Sequence, residues 1–312
     1  MKKWIQPSTR AFFTEKPRDG NDRLVSRLHG YVYGRWPYFY ISMATGRHAL
    51  AKYVSKMLAF ARMFSRADRS RARARAGIRF ANRYHGKVMP VQEAGRLIQI
   101  NKSVDLGDLE QIIPYERARR IVLNNPGHIV ALQCPCRASS PNPCEPQQVC
   151  LIAGEPFAGF ILEHHPGKAR SVSPQEACRI LEQEHARGHV QHAFFKDAML
   201  GRFYAICNCC SCCCGAMQAH RNGVPMLASS GYVAELDQEL CIQCGECADI
   251  CPFQAITISG EGPDVSQDSC MGCGVCVNRC PAQGLELKRH KDKCPPLDVD
   301  GLLNRRRPQP RQ

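Results

Sequence analysis

Cys241-Ile-Gln-Cys244-Gly-Glu-Cys247-Ala-Asp-Ile-Cys251-Pro252 is followed by a second run of the same pattern, Cys270-Met-Gly-Cys273-Gly-Val-Cys276-Val-Asn-Arg-Cys280-Pro281. Each reads C-x2-C-x2-C-x3-C-P, the bacterial spacing for ligating a [4Fe–4S] cluster. Three cysteines spaced by two residues wrap one face of a cuboidal cluster, and Gly245 and Gly272 let the backbone turn tightly around it. The fourth lies one helical turn further on and points away, so it can reach the cluster of the other run. Pro252 and Pro281 then end each run. Structural zinc would instead draw four ligands from two separated pairs.

Outward from these runs, 312 residues leave room for two or three compact units. The chain carries 20 cysteines. Met1-Lys-Lys-Trp-Ile-Gln-Pro7 is not followed by an apolar signal segment, and no run of about 18 apolar residues offers a membrane span. Many cysteines without an export signal predict metal ligation in a reducing cytoplasm, in an oxygen-poor lifestyle, rather than disulfides.

Charge is uneven. Residues 1–120 hold 25 Lys and Arg against 9 Asp and Glu, and the remainder holds 17 against 19. The densest patch is Arg62, Arg66, Arg69, Arg71, Arg73, Arg75, Arg79 and Arg83. Spacings of four, three and four place Arg62, Arg66, Arg69 and Arg73 on one helix face. A solvated face or a docking surface for a redox partner is the preferred reading, and peripheral contact with an anionic membrane stays open. No sequence-specific nucleic-acid binding is expected, because no helix-turn-helix or RNA-binding signature accompanies the patch. Tyr31-Val-Tyr-Gly-Arg-Trp-Pro-Tyr-Phe-Tyr-Ile-Ser-Met43 reads as the core of a small N-terminal helical unit.

In the middle, His128-Ile-Val-Ala-Leu-Gln133 reads as a buried strand running into Cys134-Pro-Cys136-Arg137, with Cys144 and Cys150 following. A helix is signalled by Ser173 as N-cap, Pro174 at the first position, Glu176 as capping-box partner and Gly188 as its end. His192-Ala-Phe-Phe195 and Phe203-Tyr-Ala-Ile206 then lead to Cys207-Asn-Cys209-Cys210-Ser-Cys212-Cys213-Cys214. Two strands that each end in a cysteine loop suggest convergence on a further Fe–S or metal centre. Its candidate ligands are Cys134, Cys136, Cys144, Cys150, Cys207, Cys209, Cys210, Cys212, Cys213 and Cys214, individually unassigned. Cys178 reads as core and Cys294 as exposed. His164, His165, His185, His189 and His192 read as core or surface residues, since no H-E-x-x-H is present. Nucleotide-binding and serine-hydrolase motifs are absent as well.

Residues from about 232 to 290 resemble a bacterial two-[4Fe–4S] ferredoxin domain, with Tyr232-Val-Ala-Glu-Leu236, Ala255-Ile-Thr-Ile258 and Gly284-Leu-Glu-Leu287 as the flanking strands. The resemblance implies two clusters with crossed ligands: Cys241, Cys244, Cys247 and Cys280 for one, Cys270, Cys273, Cys276 and Cys251 for the other. The order CPCR…C…C, an apolar stretch, then CNCCxCCCG before such a domain is similar to a group of anaerobe 4Fe–4S proteins of undefined function, from about Ile129 to Pro281. That likeness implies association of the two cysteine regions and supplies no substrate.

The expected fold is α+β: a basic, mostly helical region over 1–125, a cysteine-rich α/β domain over 126–230, a ferredoxin domain over 231–290 and a disordered tail over 291–312. The expected function is low-potential electron transfer between a partner oxidoreductase and the central cysteines. A redox-responsive metal regulator and an iron–sulfur reductase are the alternatives.

Overall fold

The computed structural model describes residues 5–15, 24–53, 69–260 and 262–304. Eight strands of these residues build one sheet: β1 Tyr84–Met89, β2 Val104–Leu106, β3 Ile121–Gln133, β4 Gln148–Glu155, β5 Ala169–Val172, β6 Val190–Lys196, β7 Arg202–Cys209 and β8 Leu227–Ala228. Their order is β2-β3-β4-β7-β6-β1-β8, with β5 on β3. Every pairing is antiparallel except β1 with β8. Side chains alternate between the two faces of a strand, so a run apolar at every position must be covered on both. Val130, Leu132, Cys150, Ile152, Phe194 and Tyr204 enter one core. Their neighbours Ile129, Ala131, Leu151, Ala153, Phe195 and Phe203 enter the other.

Helices cover both faces. On the first lie α1 (Pro7–Thr14), α2 (Leu24–Arg35) and α3 (Pro37–Ala44). Also described are α4 (Arg69–Ala81), α5 (Val91–Ile98), the short α6 (Pro135–Ala138), α7 (Phe157–His164) and α8 (Pro174–Ala186). Phe157, Ala158, Phe160 and Ile161 of α7 join the first core, whereas Ala94, Leu97 and Ile98 of α5 and Ala177 and Leu181 of α8 join the second. The capping signals hold for α8: the Ser173 side chain accepts a hydrogen bond from the Glu176 amide, and Gly188 follows the helix at φ +86°.

Residues 215–304 add α9 (Gly215–Arg221), β9 (Tyr232–Leu236), α10 (Glu246–Ile250), β10 (Ile256–Ser259), β11 (Gly262–Val265), α11 (Val275–Arg279), β12 (Leu285–Arg289) and α12 (Val299–Asn304). β9 pairs with β12 and β10 with β11, both antiparallel. Strand, cysteine loop, short helix and strand therefore recur twice, as the sequence resemblance implies. β11 carries Pro263, which suits an edge strand but gives no strand signal in sequence.

Four expectations change. The division expected at residue 125 falls inside β3, and β1 and β2 from the segment read as mostly helical are strands of the shared sheet. The aromatic stretch at 31–43 is no separate core: Tyr31 packs on Phe160, and the Tyr33 hydroxyl lies 2.9 Å from that of Tyr204 on β7. The segment after 290 is ordered to residue 304, because Leu297, Val299 and Leu302 are buried in the second core. Cys294 is accordingly half-buried rather than exposed, and Lys87 Nζ donates to its Sγ at 3.1 Å and to the Pro295 carbonyl at 2.8 Å. Of the arginine patch, Arg62 and Arg66 lie outside the described residues, while Arg75 and Arg79 are exposed on α4.

Candidate metal centres

Each C-terminal cysteine loop turns through two left-handed residues, Gln243 and Gly245 in the first and Gly272 and Gly274 in the second. Only glycine suits position 272, where an added Cβ would stand 2.2 Å from the Tyr232 carbonyl oxygen. The left-handed glycines at 245 and 274 start α10 and α11, and each fourth cysteine caps the end of its helix. That places Cys251 beside the other run. Cys251, Cys270, Cys273 and Cys276 line one small cavity of about 10 Å³. Burial first, then the Cys270 and Cys251 thiols, pushes Cys276 up to about 12. Cys247 instead feels Cys244 and Cys241 as its thiol neighbours.

Backbone amides point at these sulfurs. Gln243 N–H donates to Cys241 Sγ at 3.4 Å, Ala255 N–H to Cys251 at 3.3 Å and Ala234 N–H to Cys270 at 3.4 Å. Thiolates that carry cluster charge are stabilised by such donors, so the residues present fit an iron–sulfur cluster. The two loops differ in exposure: Cys270, Cys273 and Cys276 are buried, while Cys244 is exposed and Cys241 half-buried.

The central cysteines converge from the ends of β3 and β7, as their strand-then-loop pattern predicts, but they separate into two sets. Cys134, Cys136, Cys150, Cys207, Cys209 and Cys214 line a cavity of about 200 Å³ on the first sheet face. Their thiols are linked in series: Cys134 interacts with Cys136 and Cys150, Cys150 with Cys207, Cys136 with Cys214, and Cys214 with Cys209. Hydrogen bonds from Cys136 and Cys150 hold Cys134 well below the ordinary thiol range despite its burial. Cys144, Cys210, Cys212 and Cys213 form the second set, with Sγ atoms all within 4.8 Å of one another.

Two groups at this site carry no sequence motif that reveals them. Lys196 lines the same cavity, its ammonium 3.4 Å from the Tyr33 ring centroid and within 5 Å of those of Tyr40 and Tyr84. Burial pushes Lys196 down to about 7. Arg137, completely buried, donates to Glu184 Oε2 at 2.5 Å, to the Asn208 carbonyl at 3.1 Å and to the Pro146 carbonyl. Burial pulls Glu184 up, but His189 and Arg137 outweigh it and hold the carboxyl below its usual range. The Asn208 side chain donates to the Val149 carbonyl at 2.8 Å and accepts from Gln191 at 2.9 Å. Arg137 and Asn208 therefore pin the CPCR and CNC segments to one another. Their positions between cysteines are the only signal that sequence offers for this role.

Two of the histidines are held within the packing: His165 Nε2 bonds the Gly34 carbonyl at 2.7 Å and His185 Nδ1 the Gln191 side chain at 3.0 Å. Cys178 is half-buried on α8, near the Gly95 carbonyl.

Residues 234–287 match the family model of the 4Fe-4S dicluster domain. The match takes in all eight cysteines of the two C-terminal runs and leaves the sheet and its cavity outside. No curated protein matches the sequence. The C-terminal region is thus a ferredoxin-like 4Fe–4S dicluster domain attached to a mixed α/β body. No helix among the described residues is long and apolar enough to cross a membrane.

Proposed function

We propose that the protein is an electron-transfer protein whose dicluster domain exchanges electrons with the central cysteine cavity. On this reading Cys241, Cys244, Cys247 and Cys280 hold one [4Fe–4S] cluster, and Cys270, Cys273, Cys276 and Cys251 hold the other. Such clusters, when bound, supply single-electron carriage at potentials tuned by hydrogen bonding and exposure. The chain contributes the amide donors, the exposed loop at Cys244 for a redox partner, and the buried loop at Cys273 that faces the body. One observation carries the reading: Cys273 is buried in the same apolar core as Cys209 and Cys214 of the cavity. Exposed Arg75 and Arg79 give an acidic redox partner a docking face.

The six cavity thiols are the proposed inner terminus, as ligands of a further Fe–S centre. Anaerobically purified protein should then contain more than the roughly eight irons that two cubanes account for. Cys136→Ser and Cys150→Ser should each lower that excess by the same amount and change the EPR signal of the reduced protein. Iron at about eight, unchanged by either substitution, would remove the inner centre from this reading. Catalysis at the same thiols is the second reading, favoured by a largely apolar cavity that Lys196 lines together with the thiols.

A further inference from the structure

Cys144, Cys210, Cys212 and Cys213 differ from every other cysteine set in how closely they gather. Cys144 Sγ lies 2.9 Å from Cys212 Sγ and 3.8 Å from Cys213 Sγ, and Cys212 lies 3.5 Å from Cys213. Four thiolates about 2.3 Å from one tetrahedral ion stand roughly 3.8 Å apart along the tetrahedron's edges. A cubane binds each thiolate through a separate iron at its own corner, so its ligand sulfurs must spread wider. Among the described residues, this quartet is the one group of His, Cys, Asp or Glu ligand atoms gathered within 4.8 Å that could hold an ion. Neither quartet of the dicluster domain is drawn in that far.

Charge leads to the same place. Thiolates this close repel one another unless a cation sits among them. Cys210 and Cys213 are buried while Cys212 is exposed, so an ion has an entry side and a closed side. The loop is held from outside the quartet: Arg221 donates to the Ser211 carbonyl at 2.7 Å and Gln218 to the Cys212 carbonyl at 3.1 Å.

We infer that these four cysteines bind one thiophilic divalent ion in closed tetrahedral coordination, with zinc the metal this ligand set favours. The ion fastens the connection between β3 and β4, which carries Cys144, to the loop after β7. Because Cys210 also lines the cavity, the same ion holds one of its walls. The site stands apart from the six cavity thiols and does not depend on the electron-transfer reading.

The test is a count of zinc, iron and acid-labile sulfide in the anaerobically purified full-length protein, its Cys212→Ser variant and its Cys144→His variant. Wild type should carry about one zinc per chain. Cys212→Ser should lose it and Cys144→His should keep it, because imidazole also ligates zinc, with iron and sulfide equal in all three. Should a variant fail to fold, zinc-edge X-ray absorption of the wild type still decides. A shell of sulfur alone at about 2.3 Å, without a neighbouring metal, is expected. A single sulfide-free iron at the quartet also supports a one-ion site. Loss of iron together with sulfide in Cys212→Ser would assign the quartet to a cluster and overturn the inference. So would a wild type in which all four thiols alkylate freely, or in which Cys144 and Cys212 form a disulfide.

Discussion

In the dicluster domain the first three thiols of each run lie in a single short loop, shaped by left-handed residues and by backbone amides that donate to the sulfurs. In the central block the thiols come from strand ends some seventy residues apart and crowd together, with Cys144 against Cys212. The first arrangement is local: once the loop folds, the ligand geometry exists. The second exists only when β3, β4 and β7 are paired and Arg137 has drawn their ends together. Metal binding in the two regions should therefore respond to different substitutions.

The largest effect expected concerns crossed ligation. Cys251→Ser and Cys273→Ser should each remove about four irons, and the double variant should remove no more than about four. Cys241→Ser combined with Cys273→Ser should remove about eight. Iron and sulfide analysis reads the difference, and additive loss in the Cys251→Ser, Cys273→Ser pair would mean that each run serves its own cluster.

Next is the pin of the central block. Arg137→Leu takes the fully buried guanidinium from the Glu184 carboxylate and leaves it Arg187 and His189, a change that should cost about 1.5–3 kcal/mol. Adding Glu184→Leu should recover most of the loss, and the EPR signal of the dicluster domain should survive in both. Thermal unfolding followed beside EPR separates the two regions.

Gly188 lies where they meet, at φ +86°, with a Cβ position 2.8 Å from Ile250 Cδ1 of α10. Gly188→Ala should cost about 1 kcal/mol or more from backbone strain alone. Faster amide exchange at α10 and α11 than in the sheet would show that the contact between the regions has loosened.

The smallest step to be read, a change over one pH unit, is confined to the cavity. With Lys196 near 7 when folded and at 10.5 when unfolded, the unfolded chain binds the extra proton between those values. Stability should rise with pH across that window, by about 1 kcal/mol from pH 7 to pH 8, with the full burial cost present below pH 7. Lys196→Met should remove this component from the pH dependence of denaturant unfolding.

Legibility in the sequence follows the same division. The eight C-terminal cysteines, their flanking strands and the capped helix after Ser173 are readable because each is fixed by residues within a dozen positions. So is the descent of two apolar strands into cysteine loops. Pairing of β1 with β6, about a hundred residues away, is not readable, because an apolar run states that it is buried and not against what. Sorting of the ten central cysteines fails for the same reason: alternation along the chain would group Cys214 with Cys210 and Cys212. The turn after β7 instead sends Cys214 to Cys136 and Cys209, and Cys213 to Cys144. Lys196 and Arg137 look like ordinary surface cations until the fold buries them.

Most directly at stake is whether wide cysteine sets hold iron–sulfur clusters while the tight set holds a lone ion. Iron, acid-labile sulfide and zinc per chain of the anaerobically purified full-length protein decide it. At least about eight irons matched by sulfide, together with about one ion unmatched by sulfide, are expected. Zinc in place of iron throughout, or fewer than about four irons with no sulfide, would contradict the account.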